Sequence, residues 1–222
     1  MDKHIVRILQ VERITHDVKS FKIEKPEGYE FIPGQATEVA INHPDWKDEK
    51  RPFTFTCLNS DPFLEFTIKI YDDHNGVTKH IDSLRRGDEL IIHDVWGAIK
   101  YKGEGTFIAG GAGVTPFIAI FRQLKKENII GNNQLLFSNK TEKDIILRKE
   151  FESLLGDRFI NTLTDEEKEG FDHSLIDKAY LETKLHSFDQ EFYICGPDAM
   201  VKDIKKALNE LGAGENVITV EI

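Results

Sequence analysis

The sequence predicts two domains of different fold class: an antiparallel β-barrel, followed by an α/β domain built on a doubly wound parallel sheet. The first hundred residues consist of short β-forming runs separated by turn residues, whereas the remainder alternates strand-like and helix-like segments. A chain of 222 residues is long enough for two small domains with separate cores. The polar segment KYKGEG at residues 100–105 separates the two patterns, so we expect the domains to span residues 1–100 and 101–222.

Six segments of the first half predict strands. In LEFTIKIY the apolar side chains of Leu64, Phe66, Ile68 and Ile70 alternate with polar ones, which is the period of a half-buried strand. Proline–glycine, asparagine–glycine and glycine–aspartate pairs supply turns between the segments. The other strand segments are HIVRILQVERI, VKSFKIEK, QATEVAI, RPFTFTCL and DELIIHDVW, and one helix is predicted over VTKHIDSLRR.

The second half predicts a parallel sheet with helices on both faces. Apolar residues at Phe117, Ile120, Phe121 and Leu124 recur at helical spacing, and a second helical pattern covers residues 200–211. Strand segments alternate with these patterns, which is typical of the doubly wound arrangement. The strand segments are TFIAG, NQLLFSN, RFINTLT, EFYICG and NVITVEI.

Composition excludes several classes of protein. The formal net charge of −10 and the sequence pI of about 5.3 argue against nucleic-acid binding, because phosphate contacts need a basic face. Two cysteines, Cys57 and Cys195, are too few for a disulfide framework or an iron–sulfur cluster, so a reduced, cytoplasmic setting is expected. The start MDKHIVRILQ has no signal-peptide pattern, and no run of about 18 apolar residues predicts a membrane span.

A glycine cluster, GGAGVTP at residues 110–116, follows the first strand of the second half. Glycines at a strand end let backbone N–H groups face an anion, and Thr115 and Pro116 suit the first turn of the next helix. The alternative is a tight strand-to-helix turn that binds nothing. The cluster is not an ordinary dinucleotide fingerprint, because Pro116 stands in place of its last glycine and no acidic residue ends the next strand, residues 135–139.

Two further stretches carry candidate binding chemistry. In RPFT, Arg51 can form bidentate bonds to phosphate, Phe53 offers a flat aromatic face and Thr54 offers a hydroxyl. In YICGPDAM, Cys195 ends a strand before a glycine–proline turn and a helix. The alternatives are an ordinary strand with alternating aromatic residues and a buried structural cysteine.

Taken in order, these motifs resemble the ferredoxin–NADP(+) reductase superfamily. The resemblance covers almost the whole chain and implies a flavin-binding barrel joined to a pyridine-nucleotide domain, with hydride passing from nicotinamide to flavin and electrons then to an acceptor. Its motifs are the F-x-P-G-Q turn at residues 31–35, R-x-[YF]-[ST] at 51–54, NGVT at 75–78, LRRGDEL at 84–90, GGAGVTP and CGPDAM.

The resemblance implies FAD rather than FMN, since the NGVT loop favours a dinucleotide. Arg51 would pair with a flavin phosphate, Phe53 would pack on the isoalloxazine ring, and Thr54 would hydrogen-bond near its N5 as a catalytic residue. The implied flavin-binding residues are Arg51, Pro52, Phe53, Thr54, Ile68, Lys69, Ile70, Gly76, Val77 and Thr78.

The resemblance also implies a site for NAD(P)H. Cys195 would be the second catalytic residue, holding the nicotinamide ring for transfer, and the opening glycines would make room for the cofactor. No metal ligand is implied. The implied nucleotide-binding residues are Gly111, Ala112, Gly113, Thr115, Asn139, Lys140, Cys195, Gly196 and Pro197.

The sequence favours NADH over NADPH. NADPH-specific relatives tend to carry arginine near Asp165 and Ser174, whereas this chain has an acidic run at residues 165–167 that would repel a 2′-phosphate. Lys140 could reach the adenosine ribose. The alternative is that the run is only a solvated acidic loop.

The expected acceptor is a flavodoxin, a ferredoxin or a small molecule, docked on basic residues such as Arg85, Arg86, Lys100 and Lys102. The alternative is an electron-transfer or regulatory reductase subunit of a larger oxygenase or oxidase complex. A metal-dependent hydrolase is a weaker alternative that would use His74 or His93. Many members of the superfamily end in an aromatic residue that covers the flavin, and this sequence ends in Glu221-Ile222, so the expectation is either a more open flavin or a nicotinamide that stacks with less competition.

Overall fold

In the computed structural model, which describes residues 3–71 and 76–221, the chain divides into two compact units. The first unit contains residues 1–100 and 115–123, and the second contains residues 101–114 and 124–222. The predicted domain boundary after residue 100 stays a prediction, because the first part of the helix that begins at Thr115 groups with the first unit.

The first unit is an antiparallel sheet of six strands with one short helix. The strand order is β4-β3-β6-β1-β2-β5, and an antiparallel bridge from Phe55 to Phe66 joins the two ends of the order. The predicted antiparallel barrel is therefore confirmed. Its elements are β1 (His4–Arg13), β2 (Val18–Glu24), β3 (Ala36–Ile41), β4 (Arg51–Thr54), β5 (Phe63–Lys69), α1 (Val77–Asp82) and β6 (Glu89–Trp96).

Aromatic side chains fill the core of the first unit. The ring of Phe55 stacks on Phe31 with centroids 4.3 Å apart and tilts against Phe66 at 5.2 Å. Phe21, Phe55 and Phe66 are fully buried, and the β-branched residues of the paired strands surround them. Alternation along β5 places Leu64, Phe66 and Ile68 in this core, as the period of LEFTIKIY predicts.

The second unit contains a five-stranded parallel sheet in the order β11-β10-β7-β8-β9. This confirms the predicted doubly wound class. The sequence patterns single out α2 and α5 but not α3 and α4, which have eight and seven residues and few apolar positions. The elements are β7 (Gly105–Gly110), α2 (Thr115–Lys126), β8 (Gln134–Asn139), α3 (Arg148–Leu155), β9 (Phe159–Leu163), α4 (Lys178–Lys184), β10 (Glu191–Cys195), α5 (Asp198–Glu210) and β11 (Ile218–Glu221).

Both faces of the parallel sheet are covered. On one face Ile108, Leu136 and Ile194 pack with apolar residues of α4 and α5. On the other face Phe159 contacts Phe137 and, from α3, Phe151, with centroids 6.4 and 5.4 Å away. None of the helices within the described ranges is long and apolar enough to cross a membrane.

The segment before β7 is fixed by a buried tyrosine. The Tyr193 hydroxyl accepts hydrogen bonds from the backbone N–H groups of Lys102 and Gly103 and donates one to the Gly103 carbonyl oxygen, at 2.8 to 3.0 Å. Burial raises the pKa of Tyr193. The glycine-containing segment at 100–105 is therefore anchored to β10 rather than being a free linker.

Candidate cofactor-binding sites

The RPFT motif forms β4, which pairs with β3 and lies at one end of the strand order. Arg51 is exposed; its Nη1 donates to the Lys50 carbonyl oxygen at 2.6 Å and lies 3.8 Å from a Glu49 carboxylate oxygen. Phe53 and Thr54 are half-buried, and the Phe53 ring lies 6.2 Å from Phe66. The strand thus presents an accessible cation, the exposed Pro52, an aromatic ring and a hydroxyl.

The end of β5 offers backbone groups. The N–H of Ile70 donates to the Asp17 carbonyl oxygen at 2.7 Å. Because hydrogen bonding alternates along an antiparallel strand, the N–H and C=O of Lys69 face away from β2. Ile68 and Ile70 bury their side chains in the barrel core, so a ligand at this edge would meet main chain.

The side chain of Lys69 is already engaged. Its Nζ pairs with an Asp17 carboxylate oxygen at 3.0 Å. Burial raises the pKa of Asp17, but hydrogen bonds from Lys69 and Thr15 outweigh it and hold that pKa below its usual range. Lys69 is therefore suited to contribute its backbone rather than its charge.

The NGVT loop leads into α1. Gly76 is the N-cap residue, in extended conformation and without a side-chain cap, and a β-carbon built on it would contact no atom of the described part of the chain within 4 Å. Val77 is buried and Thr78 is half-buried. Asn75 lies outside the described residues, as does His74 of the hydrolase alternative.

These three stretches fit a flavin. The exposed guanidinium of Arg51 suits a phosphate, and the half-buried ring of Phe53 suits the isoalloxazine face. The open backbone at Lys69 and Gly76 lets a ligand approach the main chain closely. Trp46 also packs on His80 of α1, with ring centroids 3.8 Å apart.

A buried polar cluster that no sequence motif indicated joins Thr56, two residues after the RPFT motif, to β5 and α2. Arg122 of α2 donates from Nη1 to the Thr56 carbonyl oxygen at 2.6 Å and to Glu65 Oε1 at 2.7 Å. The hydroxyl of Thr56 donates to the same carboxylate oxygen at 2.9 Å and accepts from Thr67 at 3.2 Å. In the sequence, the polar residues Glu65 and Thr67, which alternate with the core residues of β5 and are nevertheless buried, are the signal that could have indicated it.

Cys57 adjoins this cluster. Its Sγ accepts a hydrogen bond from the Glu65 N–H at 3.1 Å. Burial raises the pKa of Cys57 to about 12, so it stays a thiol at neutral pH. It is a structural cysteine, in contrast to the half-exposed Cys195.

The GGAGVTP cluster begins where β7 ends. A 3₁₀ turn at Gly111–Val114 continues into α2, whose first residue is Thr115. A β-carbon built on Gly113 would lie 2.3 Å from the Cys195 carbonyl oxygen, so this glycine serves close packing of two loops.

The sequence suggested that the opening glycines make room for a cofactor, but not all of them do. The space beside Gly110 is occupied by Met200, whose Sδ would lie 2.4 Å from an added β-carbon. Among the three glycines of the cluster, Gly111 alone combines a positive φ, 52°, with open space, since an added β-carbon there would contact no atom of the described residues within 4 Å. The open space beside the glycine cluster therefore lies next to Gly111.

The CGPDAM stretch forms the second loop. Cys195 ends β10 opposite Ala109 of β7 and is half-buried, and Gly196 packs against Gly110. Pro197 is exposed and is the N-cap residue of α5. The two predicted nucleotide motifs are therefore in direct contact at the carboxyl end of adjacent parallel strands, where doubly wound sheets bind ligands.

Asn139 gives the clearest indication of a bound polar group. It ends β8 and is 5% exposed, and neither its side-chain oxygen nor its side-chain nitrogen has a hydrogen-bond partner among the described residues. Buried amides are almost always paired, so this one fits a site completed by a ligand or water. The neighbouring Lys140 is exposed.

The basic residues suggested for docking are surface residues. Arg85 and Arg86 lie in the turn before β6, and both are exposed, as are Lys100 and Lys102. His93 of the hydrolase alternative is buried, and its Nδ1 lies 3.0 Å from the Glu38 carbonyl oxygen. One ring nitrogen of His93 therefore has a hydrogen-bond partner within the protein.

Two family models match the chain. The model "Oxidoreductase FAD-binding domain" matches residues 6–101, and "Oxidoreductase NAD-binding domain" matches residues 107–206. The chain is also 27% identical to NADH-cytochrome b5 reductase 3 of Rattus norvegicus over 90% of its length and 80% of the relative.

Other relatives are longer proteins. NADH-cytochrome b5 reductase 1 of Rattus norvegicus is 26% identical over 69% of this chain. The glycine betaine monooxygenase reductase subunit of Chromohalobacter salexigens is 27% identical over 95% of this chain. The chain spans 61% of the length of each of these two relatives.

Solved structures share the fold. The FAD/NAD-binding domain of nitric oxide dioxygenase from Vibrio cholerae has a TM-score of 0.88 at 19% identity, covering 100% of this chain and 98% of that one. A ferredoxin NADP+ reductase from Neisseria gonorrhoeae, solved with FAD and NADP, has a TM-score of 0.84 at 20% identity with the same coverage.

Proposed function

The chain belongs to the ferredoxin–NADP(+) reductase superfamily of FAD- and NAD-binding oxidoreductases, and we propose that it transfers electrons from NADH through FAD to a separate redox protein. The observation that supports this most is the occurrence of both matched domains in one chain, each with open space at a motif glycine, Gly76 in the first and Gly111 in the second. A relative named as an NADH-cytochrome b5 reductase supports NADH as the donor.

The first unit would hold the flavin. Arg51 would neutralise a phosphate, Phe53 would support the ring, and the Thr54 hydroxyl would hydrogen-bond beside it. The Lys69 backbone would bind the polar edge of the ring, and Gly76, Val77 and Thr78 would bind the pyrophosphate through N–H groups. Bound FAD would supply the conversion of a hydride into single-electron transfer.

The second unit would hold the nicotinamide nucleotide. The open space at Gly111 would admit it beside Ala112 and the Cys195 loop, and the Asn139 amide would gain the partners that it lacks. The Cys195 side chain would limit the position of the nicotinamide ring. Productive hydride transfer needs reacting atoms about 3–3.5 Å apart, so this restriction is the chain's contribution to the rate.

We propose that the acceptor is a one-electron redox protein. The b5 reductase relatives favour a small haem protein, and the monooxygenase reductase relative favours the alternative of a reductase subunit of an oxygenase system. A flavodoxin or a ferredoxin fits the same chemistry without specific support from these relatives.

The acceptor is tested by NADH oxidation with the FAD-reconstituted protein. We expect ferricyanide, a small one-electron acceptor, to support turnover, and at least one of cytochrome b5, ferredoxin and flavodoxin to support it at micromolar concentration. Turnover with the protein acceptor should fall as salt rises if charged residues dock it. Activity with ferricyanide alone, and none with any protein acceptor or co-purified partner, would contradict the proposed acceptor class.

A further inference from the structure

Two loops of the second unit meet at the carboxyl end of the parallel sheet. The loop after β8 and the loop after β9 are joined by backbone hydrogen bonds of 2.9 Å, from Thr164 N–H to the Asn139 carbonyl oxygen and from Asp165 N–H to that of Lys140. Ligands of doubly wound sheets bind outside this edge, and the loop after the second strand commonly contacts the adenosine ribose. These loops are therefore placed to read the ribose 2′ position.

Glu142 holds the centre of this loop pair. Its carboxylate accepts a hydrogen bond from Arg148 Nη1 at 2.5 Å and another from Lys168 Nζ, while its own N–H donates to a Glu166 carboxylate oxygen at 2.8 Å. A capping box between Thr141 and Asp144 fixes the turn that carries Glu142.

The two cations are occupied by these contacts. Arg148 also bonds Glu152 at 2.5 Å and lies over the Phe171 ring at 4.9 Å. Hydrogen bonds from Lys168 and Arg148 lower the pKa of Glu142, so its charge persists through neutral pH. Three carboxylates, from Glu142, Glu152 and Glu166, thus surround two cations, which leaves the cluster with excess negative charge.

A 2′-phosphate would need these cations. A phosphate monoester carries about −1.5 to −2 charges at pH 7, and arginine is its preferred bidentate partner. The exposed Lys140 and Lys143 supply point charges at the same turn, but the exposed carboxylates of Asp165 and Glu167 lie in the adjoining loop. A 2′-hydroxyl is neutral and needs no such partner.

We propose that Glu142 determines the preference for NADH, because it neutralises the two cations that would otherwise bind the 2′-phosphate of NADPH. The inference rests on the proposed function and adds a specificity-determining residue to it. Glu142 acts by occupying Arg148 and Lys168, and not by contact with the nicotinamide.

The test is the variant Glu142→Gln, which keeps the size of the side chain and removes its charge. We expect the Kd of 2′,5′-ADP, measured by calorimetry, to fall about tenfold, since the released cations can then form charge-assisted hydrogen bonds to the phosphate. The Kd of 5′-AMP should change less than twofold. With reconstituted protein, kcat/KM for NADPH should rise by a similar factor while that for NADH stays within twofold.

Two matched variants isolate the cause. Glu152→Gln removes the other carboxylate partner of Arg148 but leaves Glu142 in place, so it should change either Kd less than twofold. Adding Arg148→Met and Lys168→Met to Glu142→Gln should abolish the gain for 2′,5′-ADP. A gain that survives this triple substitution would mean that loss of negative charge alone is responsible, which would overturn the inference.

The two possible failures are distinguishable. If Glu142→Gln binds 5′-AMP and oxidises NADH normally but shows no gain for 2′,5′-ADP, the inference is wrong and the proposed function stands. If the unsubstituted protein binds neither nucleotide and oxidises neither dinucleotide, the proposed function is wrong and the inference falls with it.

Discussion

Replacing Arg122 by leucine is expected to lower the free energy of unfolding by about 3 kcal/mol, because it leaves the Glu65 carboxylate buried without a cation. The side chains of Arg122 and Glu65 are only 26% and 10% exposed, and their contact is 2.7 Å long. The Thr56 carbonyl oxygen would lose a donor as well. Urea unfolding followed by circular dichroism measures the change.

A double variant separates charge from packing. Adding Glu65→Gln to Arg122→Leu removes the stranded charge and keeps an acceptor for Thr56, so it should recover more than half of the lost stability. Lys178→Ala breaks an exposed pair with Glu210 and should cost less than about 1 kcal/mol. An effect of Arg122→Leu no larger than that of Lys178→Ala would show that the cluster is not a buried ion pair in the folded protein.

Replacing Gly113 by alanine is expected to weaken NADH binding at least tenfold and to destabilise the fold by about 1–3 kcal/mol, because the new methyl group must displace backbone. The atoms that it meets, the carbonyl of Cys195 and the nitrogen of Gly196, cannot rotate away as a side-chain end would. The two loops that form the proposed nucleotide site would separate. Fluorescence titration with NADH and thermal unfolding measure both effects.

Gly111→Ala tests the same site without that collision. Gly111 and Gly156 have nearly equal positive φ angles, 52° and 55°, and in the described residues no atom lies within 4 Å of a β-carbon added to either. Both alanine variants should therefore lose stability, by about 1–3 kcal/mol each. Only Gly111→Ala should weaken NADH binding, and equal NADH affinities in the two variants would contradict a nucleotide beside Gly111.

The sequence predicted both fold classes because each depends on a short-range pattern. The period of two in LEFTIKIY matches β5, and the helical spacing from Phe117 to Leu124 matches α2. α3 and α4 are shorter than these patterns require, and residues 142–147 before α3 form a 3₁₀ turn and loop, so neither helix stood out.

Local sequence patterns do not predict contacts between residues that are far apart in the chain. Glu65 and Arg122 are separated by 57 positions, and no local pattern pairs them. Local patterns do not indicate Glu142 either, because an acidic residue that binds the ribose is expected at the end of β8, whereas Glu142 lies three residues later, within the capping box of Thr141 and Asp144. The glycine cluster was correctly placed at a strand end, but packing with the Cys195 loop, which explains Gly113, depends on the neighbouring strand β10.

The most direct test of the central claim is an oxygen-free titration of the purified, FAD-reconstituted protein with NADH, followed by its visible spectrum. We expect the protein to retain FAD and the absorption of the oxidised flavin to disappear as about one equivalent of NADH is added, because one hydride reduces one flavin. NADPH should act more slowly. A protein that retains no FAD, or whose bound flavin stays oxidised with both nucleotides, would contradict the assignment of electron transfer from NADH to FAD.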